Sequence, residues 1–317
     1  MAMNRIQFQP GLSMPEFQRC FGTEEQCAAA VAAARWPNGF ACPRCGTTAH
    51  CAIRHQGRRL LQCNACRHQT SLTAGTLFAC TKLPLTTWFL AMYLLSQAKT
   101  GLSALALKRQ LGVSYPTAWL MHHKILHAMA EREQLHRLDG QIQLDDAYLG
   151  GERSDGSTGR GTTGKTPFVA AVSVNAAGHP LFVKLSTVPA FSYEAIALWA
   201  CSNLVPGSLV FSDGLGCFAG VSAAQCLHAP IVAGRAKPAA LPDFHWVNTV
   251  LGNLKRTLAG AHHSFKFGKY ADAYLAGFAY RFNRRFDLKG LVARLVVDVC
   301  RAAPRTAKAI RKADEHC

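Results

Sequence analysis

The 317-residue sequence predicts an α/β (α+β) protein in which a small metal-stapled module and a helical module precede a larger mixed-sheet domain. Three observations carry this. Two Cys-x-x-Cys pairs lie near the start, a helix, Gly turn and second helix follow, and strand-like apolar runs alternate with helical patterns beyond residue 139. Apolar residues make up 49% of the chain, enough for a sizeable core, and no apolar run reaches the 18 residues of a membrane span. No signal-peptide pattern opens the sequence, so a cytoplasmic protein without a membrane partner is expected.

The net charge of +17 is unevenly spread. Residues 26–130 hold 11 Lys or Arg and no Asp or Glu, residues 131–242 hold 9 acids and 8 bases, and residues 243–317 hold 6 acids and 14 bases. A near-neutral middle between two basic flanks suits a polyanion, with nucleic acid the default partner. Solubility alone does not require acids to be excluded over so long a stretch.

After an N-terminal segment (1–38), residues 39–76 read as a zinc ribbon. Cys42-Pro-Arg-Cys45 and Cys63-Asn-Ala-Cys66 are separated by 17 residues. Each short turn lets two thiolates reach one tetrahedral zinc at about 2.3 Å, and four sulfurs leave no open position for chemistry. Gly46 follows the first pair, where the knuckle favours a residue without Cβ. Strands are expected over Ala52–Arg54 and Arg59–Gln62, around Gln56-Gly57. His50 and Cys51 are alternative ligands that break the symmetry, and the other Cys are scattered thiols.

Residues 82–131 read as a helix-turn-helix DNA-binding region. Leu85–Ser96 is apolar all round and belongs inside. A helix from Ser103 to Leu111, the Gly112-Val113-Ser114 turn and a helix over Tyr115–Ala128 follow, with Ser114 as N-cap and Pro116 tolerated in the first turn. The reading puts Thr117, Trp119, His122, His123 and Lys124 on the exposed face of a recognition helix, with Lys124 a DNA contact. An ordinary helical hairpin is the alternative.

Residues 139–287 read as a catalytic domain of ribonuclease-H type, followed by a basic C-terminal tail (288–317). Strands are expected at Gln141–Leu149, Phe168–Val174, Pro180–Ser186 and Ser208–Ser212. Helices are expected at Ser192–Leu204, Trp246–Leu258 and Tyr270–Phe286. Gly159-Arg-Gly-Thr-Thr-Gly164-Lys165-Thr166 matches the phosphate-loop pattern letter for letter. A β-like run rather than a helix follows it, so a nucleotide-driven enzyme is disfavoured and the segment reads as a loop that touches DNA phosphate through Arg160 or Lys165.

Asp145 and Asp146 lie in the first of these strands, where alternation sends them to opposite faces, and Asp213 ends a later one. Asp145 in one strand and Asp213 at the end of a neighbour can share divalent metal in two-ion phosphoryl chemistry. Asn248 could present an amide oxygen to the same metal, with Asp243 the alternative third ligand. Lys255, about 10.5 Å farther along the helix axis, could hold a phosphate. Arg281, Arg284 and Arg285 form a basic cluster suited to DNA.

Taken together, these pieces resemble the IS1595 (ISXO2-like) family of DDE-type insertion-sequence transposases. The pieces are the Cys42/Cys45–Cys63/Cys66 ribbon, Leu144-Asp-Asp-Ala-Tyr-Leu-Gly-Gly151, Ser212-Asp213-Gly214, Asn248-Thr-Val-Leu-Gly-Asn-Leu-Lys255, Gly260-Ala-His-His263 and Tyr280-Arg-Phe-Asn-Arg-Arg285. The resemblance implies Asp145 and Asp213 as catalytic carboxylates, Asn248 where many relatives carry Glu, and the characteristic Lys255 after it. It also implies a structural Zn²⁺, two catalytic Mg²⁺ or Mn²⁺ ions, and a nucleoid-associated bacterial enzyme that cuts and joins double-stranded DNA. The DNA would be its own terminal inverted repeats and a target. Synapsis of two ends implies a homo-oligomer, at least a dimer. Two departures stand out: Asn248 leaves a charge of −2 where Glu would give −3, and Gly277 stands where relatives often have Glu. The rival expectation is an inactive zinc-ribbon DNA binder derived from such an enzyme.

Overall fold

A computed structural model describes residues 9–312 apart from 56–57, 151–163, 233–240 and 263–264. In chain order the elements are α1 (Met14–Phe21), α2 (Glu24–Arg35), β1 (His50–His55), β2 (Arg58–Cys63), β3 (Gln69–Ser71), α3 (Leu85–Gln97), α4 (Ala104–Leu111) and α5 (Tyr115–Gln134). There follow β4 (Gln141–Leu149), β5 (Thr166–Val174), β6 (Pro180–Thr187), α6 (Tyr193–Asn203), β7 (Leu209–Ser212), β8 (Leu227–Pro230), α7 (His245–Ala261), α8 (Phe267–Asn283), α9 (Leu291–Arg301) and α10 (Ala307–Lys312). No helix of the described residues is long and apolar enough to cross a membrane.

The chain forms two compact units. The first gathers Met1–Ala98, Leu102–Ala128 and Phe286–Ile310. Its opening helices are fixed locally: Ser13 with Glu16, and Thr23 with Gln26, form capping boxes that satisfy helix N–H groups reciprocally. The Glu24 carboxylate accepts from the Leu85 and Thr86 N–H groups at 2.9 and 3.2 Å, so α2 caps the start of α3, which has no side-chain cap of its own. Arg35, at the end of α2, donates to the carbonyls of Ser71, Leu72 and Ala74 and ties that helix to the end of the β1–β2–β3 sheet.

Two expectations for this unit are corrected. Residues 288–317 were expected as a basic, helical tail for DNA backbone; the helix is there, but α9 is strongly amphipathic. Its Leu291, Val292, Leu295, Val296 and Val299 are buried, and it packs on α2 and α3. The bases of this segment occupy the opposite face, and the apolar stripe at helical spacing decides its place. The α4–α5 helix pair is present, with Gly112 in the left-handed conformation (φ 67°) that its turn demands. The centre of α5, however, is not a surface: His122, His123 and Lys124 are buried together with Met121, Ile125 and Leu126. Its first turn, around Tyr115 and Pro116, is open to solvent, as are Arg132 and Gln134 at its far end.

The second unit gathers Lys99–Gly101, Met129–Arg285 and Arg311–Cys317. Its five-stranded sheet has the order β6-β5-β4-β7-β8. β4, β5 and β6 form an antiparallel meander, while β7 runs parallel to β4 and β8 parallel to β7. Ile142, Leu144 and Val210 face α6, packing with Ile196, Trp199 and Phe218. Leu149, Ala170, Val172 and Val183 face α7 and α8, packing with Val247, Leu251, Leu254, Leu275 and Phe278. Strand alternation therefore puts Gln143 and Asp145 on the α7 side. β8 was not expected from the sequence; it is short and half-exposed, with little apolar pattern to betray it.

If α9 is part of the first unit's core, Leu295→Ala should lower that unit's stability by about 2–5 kcal/mol. Arg294→Ala, on the exposed face, should change it by less than about 0.5 kcal/mol. Amide hydrogen exchange in α2 and α3 under increasing urea reads both variants; equal, negligible effects would return α9 to the status of a tail.

Candidate functional site

The metal centre of the first unit is built by two like knuckles. In the first, the Gly46 N–H donates to the Cys42 carbonyl at 2.9 Å and the Cys42 N–H to Thr47 at 3.0 Å. In the second, Arg67 donates to the Cys63 carbonyl at 3.0 Å and Cys63 to His68 at 2.9 Å. Gly46 and Arg67 hold the same place in each turn, with φ 75° and 60°. The knuckle thus demands a left-handed residue, and only one of the two is glycine. The four sulfurs lie within 4.8 Å of one another, Cys42 to Cys66 and Cys45 to Cys63 at 3.6 Å. A tetrahedron of Zn–S bonds has sulfur edges of about 3.8 Å, so soft thiolates at this spacing fit zinc. Hydrogen bonds to Thr47, through its side chain first and then its backbone, hold the Cys45 thiol down at about 6. Cys51 lies outside this group.

In the second unit, strand register makes the acidic cluster. Leu144 of β4 pairs with Ser212 of β7, so the next residue of each strand, Asp145 and Asp213, lies on the next rung. One carboxylate oxygen each from Asp145, Asp146 and Asp213 falls within 4.8 Å of the others, and all three residues are half-buried. Two are oriented by backbone: the Asp146 N–H donates to Asp145 Oδ1 at 2.9 Å, and the Leu215 N–H to Asp213 Oδ1 at 3.0 Å. Behind Asp213, the buried Ser212 hydroxyl and His228 Nε2 are 2.7 Å apart, and burial holds the His228 pKa below its usual value. A cluster of hard carboxylate oxygens suits Mg²⁺ or Mn²⁺. Asp146 was not foreseen in it. Its side chain starts on the opposite face, yet the adjacent rung brings its oxygen within reach.

Asn248 stands in the first turns of α7, half-buried, and its Nδ2 donates to the Phe244 carbonyl at 2.9 Å. Lys255 is exposed farther along the same helix. Asp243 lies in the short turn before α7 and is not among the clustered carboxylates. A second residue not foreseen from the sequence is Gln143, two before Asp145. Its Oε1 accepts from the Trp246 and Val247 N–H groups at 2.9 and 3.0 Å. The only hint in sequence was a polar residue in strand phase with Asp145.

The expected DNA contacts fare unevenly. Arg160 lies outside the described residues, as does His263. Lys165 packs over Gly150, and Thr166 next to it opens β5. Among the described residues a strand, not a helix N-terminus, follows the phosphate-loop-like motif, whose residues 159–163 lie outside them. Lys124 is corrected: its Nζ donates to the Leu77 carbonyl at 3.1 Å, and burial lowers its pKa. Arg284 is corrected as well, because it forms a 2.5 Å ion pair with Glu133, both side chains at most 15% exposed, and lies over the Tyr280 ring. Arg285 donates to the carbonyls of Leu181, Pro180 and Phe282 and stacks on Phe282. Arg281 sits against Gly101, and burial pulls its pKa down to about 10. These guanidinium groups hold the fold together rather than forming a free basic patch. Gly277 lies among the buried residues of an unbroken α8, so its helix cost has not interrupted that element.

Residues 137–283 match the family described as the ISXO2-like transposase domain, and residues 22–69 match the one described as the transposase zinc-ribbon domain, both of IS1595 type. The ribbon match takes in α2, in keeping with the Arg35 anchor. A protein described as "Uncharacterized protein in transposable element ISH50" from Halobacterium salinarum is 30% identical over 151 residues. Those residues are 45% of this chain and 49% of that protein, so the chain spans about half the length of the curated relative it matches.

Arg284→Ala removes the ion-pair partner of the buried Glu133, leaving its carboxylate with the Asn283 Nδ2 hydrogen bond at 2.6 Å, and should cost about 3–5 kcal/mol of stability. Equilibrium denaturation measures it. An unchanged midpoint combined with weakened DNA binding would make Arg284 a surface contact after all.

Proposed function

Because the chain carries in order the zinc ribbon and the ISXO2-like domain of the IS1595 transposases, we propose that it is a DNA transposase. In this reading it binds the ends of its insertion sequence and carries out metal-dependent strand cleavage and strand transfer. One observation carries the proposal: the parallel β4–β7 register sets Asp145 beside Asp213, with three carboxylate oxygens within 4.8 Å. The strand order, an antiparallel meander followed by two parallel strands with helices on both faces, supports a ribonuclease-H-like reading of this unit.

Asp145, Asp213 and Asn248 are proposed to hold two divalent ions, with Asp146 a fourth oxygen donor. Such ions would lower the pKa of an attacking water and steady charge on the departing oxygen. The chain's own residues place the reacting groups. The Leu215 N–H orients the Asp213 carboxylate, the Asp146 N–H orients Asp145, and Lys255 is free to take a flanking phosphate. Asn248 has spent its amide N–H on Phe244, which leaves Oδ1 as its unused acceptor. The freed 3′-hydroxyl then attacks target DNA in line, with no covalent protein intermediate. With Lys124 withdrawn, the exposed Arg44, Arg54, Arg67, Lys108 and Arg109 are the candidates for backbone contact in the first unit. Two ends held together call for at least a dimer on DNA in the bacterial nucleoid.

A second reading, an inactive DNA binder, is favoured by Asn248 alone, which brings no charge to the ions.

Purified protein on DNA bearing the element ends, with Mg²⁺ or Mn²⁺, separates the two. Nicking is expected, and Asp145→Ala or Asp213→Ala should reduce it by at least about 100-fold with DNA binding kept. Lys165→Ala should leave it largely intact. Binding without cleavage in every metal would establish the second reading.

A further inference from the structure

The helix that carries Asn248 does not cap itself. Its N-cap is Phe244, which offers no side-chain acceptor, and the N–H groups of its first turn need partners. Gln143 supplies them from β4. Its side chain is 5% exposed, and an amide buried this deep on a sheet face costs stability unless it is bonded. The bonds it makes go to the entry of α7: Oε1 takes the Trp246 and Val247 N–H groups at 2.9 and 3.0 Å, and Nε2 donates to the Pro242 carbonyl at 3.4 Å. The clamped residue, Val247, directly precedes Asn248. The clamping residue lies two before Asp145 on the same face of β4. One side chain therefore links the strand bearing the first carboxylate to the helix turn bearing the amide.

We propose that Gln143 is the positioning residue of this centre, setting where Asn248 stands relative to Asp145 and Asp213 and so how tightly the centre holds a divalent ion. The inference rests on the proposed role of Asn248 as third ligand. Gln143 touches no substrate and acts through the helix. Among the described residues the hydrogen bonds of this amide go to the helix entry alone.

The test is Mn²⁺ binding to the zinc-loaded full chain, followed by electron paramagnetic resonance, counting only the Mn²⁺ lost in Asp145→Ala. Asn248→Ala and Gln143→Leu should each weaken that binding by about 10-fold, the usual scale for outer-shell partners of a metal ligand. The double variant should be no weaker than either alone, because both remove one interaction. Gln143→Glu keeps an acceptor for the two N–H groups and should recover most of the affinity. Should Gln143→Leu not fold, Gln143→Asn, which withdraws the amide by one methylene, takes its place. Gln143→Leu binding Mn²⁺ within twofold of the unaltered protein, or multiplicative losses in the double variant, overturns the role of Gln143 while leaving Asn248 as a ligand. No effect of Asn248→Ala overturns both.

Discussion

The parallel pairing of β4 with β7 is the constraint on which the acidic centre depends. It fixes the rung on which Asp145 meets Asp213, and it does so with backbone hydrogen bonds that are indifferent to the charges they bring together. Two carboxylates about 5 Å apart repel by about 3 kcal/mol at an effective dielectric of 20, and Asp146 adds a third. The apolar layers on either side, with Ile142 and Leu144 against α6 and Leu149 against α7, hold the strands in place despite that repulsion. Three hard carboxylate oxygens gathered at one rung form a set that a divalent cation would fit.

The first unit rests on a different balance. The ribbon has little apolar core, with Phe40, Cys42 and Cys63 as its buried centre, and four thiolates on one metal would replace what packing does not supply. Around it the chain uses distant segments: Glu24 caps α3, Arg35 binds the end of the ribbon, and α9 returns from the end of the chain to cover α2 and α3. Thus α9, far along the chain from α2 and α3, completes the unit they begin.

Much of this was legible in the sequence. The four Cys and the strands between them followed from spacing, and β4 to β7 and their helices followed from alternation and period. The bringing together of Asp145 and Asp213 was legible as a possibility, but not the β4–β7 register that achieves it, since pairing partners are non-local. The misreadings share one cause. Lys124, Arg284 and Arg285 are cations in a basic chain, and composition places such residues on a DNA-facing surface. Their fates were decided by partners far away in sequence: the carbonyl of Leu77, the carboxylate of Glu133 and the carbonyls at the start of β6. Gln143 escaped notice for the same reason, because its partners lie 99 to 104 residues further on. The amphipathic stripe of α9 was visible, but the excess of bases beside it drew attention to the wrong face.

The most direct measurement of the central claim is anomalous diffraction from crystals of the full chain soaked in Mn²⁺. A peak bonded to carboxylate oxygens of both Asp145 and Asp213 is the predicted result. Ordered carboxylates with no peak between them at saturating Mn²⁺, or an ion held elsewhere and by neither residue, would contradict it.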